Sequence, residues 1–161
     1  MTILDGWELS PDRQGMFDKI MESDPVGEPI ITSKLKLDKE NGLIIVGENG
    51  FSWRIKAGFS TPMISMGKSK WVRWGDVDEI IPAKPEKGVI KIQMYKRDKE
   101  GNLVMKKGNP KILKWKLTVN RNKNEDKNHF INRRKDFYRL MNELHEKYKS
   151  PEPPATSDSR I

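Results

Sequence analysis

The chain has 161 residues, 31 Lys plus Arg against 23 Asp plus Glu for a net charge of +8, 35% hydrophobic residues and no cysteine, the scale of one ordinary domain. Without cysteine there is no disulfide framework, thiolate nucleophile or cysteine-held zinc, and two histidines, His129 and His145, are too few for a His-rich metal cage. Residues 1–9 carry two acids and no cation, unlike the basic flank of a secretory signal, and no apolar run reaches membrane-spanning length, so a cytoplasmic protein, at most peripheral at membranes, is expected.

In chain order, Ser10-Pro11 signals a first helix, because Ser caps free N–H groups and Pro suits the first helical position. Met16, Phe17, Ile20 and Met21 recur at helical spacing and Asp24-Pro25 ends the run, predicting a short amphipathic helix over residues 11–22. From Ile31 onward the apolar period changes from helical to alternating. Lys34-Leu35-Lys36-Leu37 alternates cleanly, Gly42-Leu43-Ile44-Ile45-Val46 is a buried-type run, and Phe51, Trp53 and Ile55 share one face. Asn41-Gly42 and Asn49-Gly50 reach positive φ cheaply and are expected to be the hairpin turns between these three strands.

Residues 71–74 are expected as a fourth strand, 77–81 as a short turn-like continuation and 82–88 as a loop. Strands at 89–96, 103–106 and 113–119 follow; in the last, Leu113, Trp115, Leu117 and Val119 alternate with Lys114, Lys116 and Thr118, and Gly108-Asn109-Pro110 is the expected preceding turn. Phe130, Phe137, Leu140, Met141, Leu144 and Tyr148 then form one stripe of a closing helix. Residues 150–161, with Pro151, Pro153 and Pro154, read as a disordered tail or linker.

Seven strands followed by one amphipathic helix predict an α+β, mainly β, domain: an open barrel or pair of orthogonal sheets whose mouth the final helix plugs. The expected organisation is an extension with a short extra helix over 1–30, the domain over 31–149 and a tail over 150–161. Lys34-Leu35-Lys36-Leu37-Asp38, then Gly42-Leu43-Ile44-Ile45-Val46 and Gly50-Phe51-Ser52-Trp53-Arg54, resemble the opening strands of GRAM and GLUE domains. Trp71-Val72-Arg73-Trp74-Gly75-Asp76-Val77-Asp78-Glu79-Ile80 looks like the fourth-strand segment of pleckstrin-homology-like (PH-like) domains. Phe137-Tyr138-Arg139-Leu140-Met141 with Leu144 is similar to the closing helix of the GLUE domain in the ubiquitin-binding ESCRT-II subunit. The resemblance covers 31–149 and implies a PH-like fold and an interaction module that docks ubiquitin or an acidic membrane surface within a sorting assembly, with further subunits reached through the tail. The first helix has no counterpart in a GLUE domain, and Gly47-Glu48-Asn49-Gly50 departs from its second hairpin.

No nucleophile and base pattern surrounds either histidine and no strand, Gly-rich loop and helix unit is present, so no catalytic residue, metal or cofactor is expected. Ile131, Tyr138 and His145 recur at seven-residue spacing beside the buried stripe. Left exposed, they form an apolar and aromatic ridge for ubiquitin or a similar protein, as the resemblance implies; the competing reading is a broad buried helix face.

Charge is uneven along the chain: −3 over residues 1–60, +8 over 61–120 and +3 over 121–161. Lys91, Lys96, Arg97, Lys99, Lys106, Lys107, Lys114 and Lys116 lie on the last strands and their turns, and alternation puts Lys91, Lys114 and Lys116 on one outward face. Such a cluster suits phosphoinositide or other anionic headgroups, each nearby cation contributing about 1 kcal/mol at an anionic membrane; lysines that merely keep strands soluble give the same pattern. The same cations beside Trp71, Trp74 and Trp115 make nucleic acid the alternative partner. Trp115 belongs to the core by alternation, and of Trp71 and Trp74, three apart on a strand, only one can face inward.

Overall fold

Alternating apolar residues set the longer strands, and the computed structural model describes residues 2–3, 11–55, 70–84, 89–119, 121 and 124–149. The elements are β1 (Thr2–Ile3), α1 (Pro11–Ser23), β2 (Pro29–Leu37), β3 (Glu40–Gly47), β4 (Gly50–Ile55), β5 (Lys70–Arg73), β6 (Val77–Lys84), β7 (Val89–Tyr95), β8 (Met105–Lys106), β9 (Asn109–Pro110), β10 (Ile112–Val119) and α2 (Lys127–Tyr148). The class is α+β, mainly β. Seven strands pair antiparallel in the order β5-β4-β3-β2-β10-β7-β6, β1 adds in parallel to β2 at Ile31 and Thr32, and β8 and β9 form a separate hairpin. The loop expected over 82–88 is corrected at 82–84, which belong to β6, while its remainder at 85–88, the Ser10 cap and the proline-rich tail at 150–161 lie outside the described residues.

β5 and β6 occupy opposite ends of that order, yet a single 3-10 turn, Trp74–Asp76, joins them. At about 3.5 Å per residue this connection reaches roughly 14 Å at most, so the two edges converge at that corner and the sheet must curl. No ladder joins β5 to β6, which leaves an open curled sheet rather than a closed barrel.

Register sorts the side chains onto two faces. On the inner face Val46 opposes Phe51, Phe51 opposes Val72, Ile44 opposes Trp53 and Trp115 opposes Ile92, all buried. Phe51 meets Trp74 at 5.4 Å and Trp115 at 5.8 Å between ring centroids, both edge to face. The Trp74 indole N–H donates to the Gly47 carbonyl at 2.9 Å, which satisfies its polar atom inside the core. Phe137, Met141 and Leu144 of α2 close this face.

On the outer face, Leu43 and Ile45 are buried against Ile20 of α1 and Val26, with Met16, Phe17, Met21 and Trp71 around them. α1 therefore shares a core with β3 and β4, and this is why residues 42–46 are buried on both sides. Asp24, which ends α1, accepts a hydrogen bond from the Ser52 hydroxyl and fixes the helix to β4.

Three local expectations are corrected. The β2–β3 turn lies at Asp38, φ 55°, and Lys39 rather than at Asn41-Gly42. Gly42 is inside β3, where a Cβ would come within 2.4 Å of both the Trp53 ring and the Arg54 carbonyl, so its need is close approach and not a turn. Residues 77–81 are no continuation of β5 but part of a full strand at the far edge. Finally, Lys107 (φ 52°) and Gly108 (φ 82°) make the β8–β9 turn, while Asn109 and Pro110 are paired.

Candidate anion-binding face

Among the described residues, the outer face of β7 and β10 brings several lysines to opposed and neighbouring register positions. Lys91 lies directly opposite Lys116, Lys114 opposite Gln93, and Lys36 of β2 opposite Thr118. On β10 the residues Ile112, Lys114 and Lys116 are exposed, whereas Trp115 between the two lysines and Leu117 after them are buried. Glu79 and Ile81 of β6 border the face beside Gln93 and Lys91. None of Lys36, Lys91, Lys114 and Lys116 belongs to an ion pair among the described residues. Like charges directly opposed across a ladder weaken it, so this arrangement opposes folding to a small extent.

Beyond the ladder, the connection from β7 to β10 is ordered by its own hydrogen bonds. The Lys96 N–H donates to the Lys111 carbonyl at 2.9 Å, Val104 N–H to the Lys96 carbonyl at 2.9 Å and Lys111 N–H to the Val104 carbonyl at 2.7 Å, so the chain at Val104 wedges between the splayed strand ends. The Asp98 carboxylate accepts from the N–H groups of Glu100 (2.9 Å) and Asn102 (3.0 Å), closing the first turn.

Arg97 is corrected as an anion ligand: its Nε donates to both Asp76 carboxylate oxygens at 2.9 Å and its Nη1 to the Gly101 carbonyl at 2.7 Å. It is a strut from this tip to the 3-10 corner, its charge already matched. Lys99, Lys106 and Lys107 are exposed on the tip and Lys96 half-buried, and the structure adds Lys111, also half-buried, and Lys36. Lys36 was visible in the first alternating strand, but only the pairing of β2 with β10 brings it to the cluster. Tyr95 faces Ile112 across the ladder and donates its hydroxyl to Asp78 at 3.0 Å. Partial burial, reinforced by the Asp78 carboxylate, pushes the Tyr95 phenol pKa up.

The helix ridge is only partly present. Asp126 caps α2, its carboxylate accepting from the N–H groups of Asn128 and His129. Behind the cap Glu125 takes Arg133 through two hydrogen bonds at 2.9 and 2.7 Å, and His129 Nδ1 at 2.7 Å. Arg133 and Arg134 are buried, with their guanidinium groups 5.6 and 5.3 Å from the Phe130 ring centre. Ile131 and Tyr138 are half-buried, Tyr138 against the core. His145 is corrected: it is 8% exposed, lies 6.1 Å from the Trp74 ring, and donates its Nε2–H to the Val77 carbonyl at 3.1 Å. The curled sheet wraps more of α2 than the apolar stripe alone, which takes His145 out of any ridge. Its burial pushes the imidazole pKa down.

Trp71, Trp74 and Trp115 do not stand on the basic face. Trp74 points inward from the 3-10 turn, Trp115 is in the core, and Trp71, on the outer side, is half-buried against the cluster formed with α1. No family model and no curated protein matches this chain. No helix of the described residues is long and apolar enough to cross a membrane.

Proposed function

We propose that the chain is a noncatalytic, PH-like interaction module, similar to a GLUE domain, that docks on an anionic membrane surface through the outer face of β7 and β10. The strand order, with the last strand β10 returning beside β2 and a helix following it, supports the PH-like part. The observation that carries the docking part is the opposition of Lys91 and Lys116, flanked by Lys114 and Lys36, with no carboxylate in ion-pair contact among the described residues. Several unneutralised cations on one sheet face add at an anionic surface, at about 1 kcal/mol each. Ubiquitin docking on α2 would have to use Ile131 and Tyr138 without His145, a smaller and less exposed patch.

Co-sedimentation of the full chain with phosphatidylcholine vesicles, with and without phosphatidylserine, tests the reading. Binding is expected only with the anionic lipid, and is expected to weaken steeply between low and moderate salt. Equal binding to both vesicles, or none to either, overturns it. Tight binding to short duplex DNA in place of vesicles would move the same face to nucleic acid.

A further inference from the structure

We propose that the Met105 to Ile112 end of this face inserts into the interfacial layer of an anionic bilayer, so that the domain docks as a cationic face with an apolar leading edge. This rests on the membrane reading above and extends it by naming the groups that leave water.

Ile112, Lys114 and Lys116 project from one side of β10. Pro110 precedes Ile112 by two residues, and Met105 pairs with Pro110, so all three lie at the same end of the strand. The chemistry therefore grades along the strand, from an end that holds Met105, Pro110 and Ile112 with Tyr95, to Lys114 and then Lys116 beside Lys91. At about 3.4 Å per residue Lys114 and Lys116 trail Ile112 by roughly 7 and 14 Å. The headgroup layer on each side of a bilayer is about 5–7 Å thick. A face inclined to the membrane thus puts its apolar end at the acyl boundary while the lysines stay among phosphates. Lys106 and Lys107 at the tip reach back to the headgroups on their long stems.

Two further observations point the same way. Met105, 45% exposed, and Ile112, 36% exposed, are the large exposed hydrophobic residues among the described ones, and both are here. Lys107 holds φ at 52°, a conformation that Asn or Gly adopts more easily, so the turn keeps a cation at its tip against local backbone preference. Because the Arg97–Asp76 strut and the Asp98 turn already order the tip, insertion has little further ordering to impose.

The absence of native cysteine allows a clean test. Met105→Cys, and separately Glu143→Cys on the exposed side of α2, each carry one environment-sensitive fluorophore on the full chain. With phosphatidylcholine and phosphatidylserine vesicles the label at 105 is expected to shift to the blue and to be quenched by brominated acyl chains, while that at 143 stays as in water. Met105→Ser, unlabelled, is expected to bind these vesicles about tenfold more weakly, from the lost apolar burial, with an unchanged thermal midpoint. Bound chain whose 105 label remains in water, or Met105→Ser binding as the parent does, overturns insertion and leaves electrostatic docking standing. A parent chain that does not bind anionic vesicles at all overturns both.

Discussion

Replacing Lys91 by Glu should stabilise the fold and weaken membrane docking at once. Lys91 and Lys116 are directly opposed, with no ion pair to either among the described residues. Two unit charges about 6 Å apart in water interact by roughly 0.7 kcal/mol, in line with about 0.2–1 kcal/mol for cross-strand pairs. Reversing one sign turns repulsion into attraction, a gain of about 1 kcal/mol at low salt, trimmed by Glu79 diagonally across on β6. For a chain of this length that raises Tm by about 2–4 °C. The same change removes two charge units from the docking face, about 2 kcal/mol at about 1 kcal/mol each, or roughly 30-fold in affinity. Circular-dichroism melting at low salt reads the first effect and vesicle co-sedimentation the second. Lys116→Glu should mirror it, and combining Lys91→Glu with Lys116→Glu should return the stability to near that of the parent while binding falls further. A lower Tm in Lys91→Glu, or undiminished vesicle binding, would refute the reasoning, because the lysine would then be making a stabilising contact or facing no ligand.

Three other outcomes follow from local geometry. Lys107→Asn should relieve a left-handed backbone and raise stability by about 1 kcal/mol, measured by urea unfolding; a loss would mean that the Lys107 side chain supports the turn. Burial holds the His145 pKa below its ordinary 6.5, so the neutral ring favours the folded state. That contribution is complete above the unfolded value and is lost as pH falls from about 6.5 toward the depressed folded value. His145→Gln should therefore flatten the decline of Tm on acidification, and an identical slope in parent and variant would sink the assignment. Glu125→Ala removes the carboxylate from buried Arg133, whose side chain and that of Glu125 are 3% and 5% exposed, and should cost about 3–5 kcal/mol in chemical unfolding. A loss below about 1 kcal/mol would mean that Arg133 finds equal compensation elsewhere.

The elements that depend on local periodicity were legible in the sequence. The strand around Trp115, the closing helix and the run from Pro11 were placed to within a few residues, because burial on one face imposes a period that side-chain chemistry displays directly. What failed depends on long-range placement. Residues 77–81 looked like a continuation of the Trp71 strand because nothing in their composition says that a three-residue turn crosses from one sheet edge to the other. Asn41-Gly42 carries turn chemistry, yet the space demanded by the Trp53 ring fixes Gly42 inside a strand. Part of the candidate site was readable by the same logic. Lys91, Lys114 and Lys116 share a face by alternation, and the order in which β2, β10 and β7 pair then adds Lys36. His145 and Arg97 misled for one reason: a polar residue at a surface-like position in the pattern was taken by a buried partner, Val77 in one case and Asp76 in the other.

The two helices explain where uncovered surface remains. α1 covers the outer side of β3 and β4, and α2 closes the inner side of the curled sheet, so the outer side of β10, β7 and β6 is left with no described element over it. That face must be polar to stay in water, but solubility asks only for charge of either sign, and interspersed Lys and Glu would pair across the ladder and favour the fold. Elsewhere the chain uses that solution, as in the Asp136, Arg139 and Glu143 run on α2. On β7 and β10 it does not: lysine faces lysine, and the strand that carries them ends in exposed Ile112. On the membrane reading proposed above, a face cationic at one end and apolar at the other would meet headgroups and acyl chains respectively. Hence the sign of the stability change on charge reversal tests whether these lysines repel, and loss of vesicle binding in the same variant tests whether the face docks.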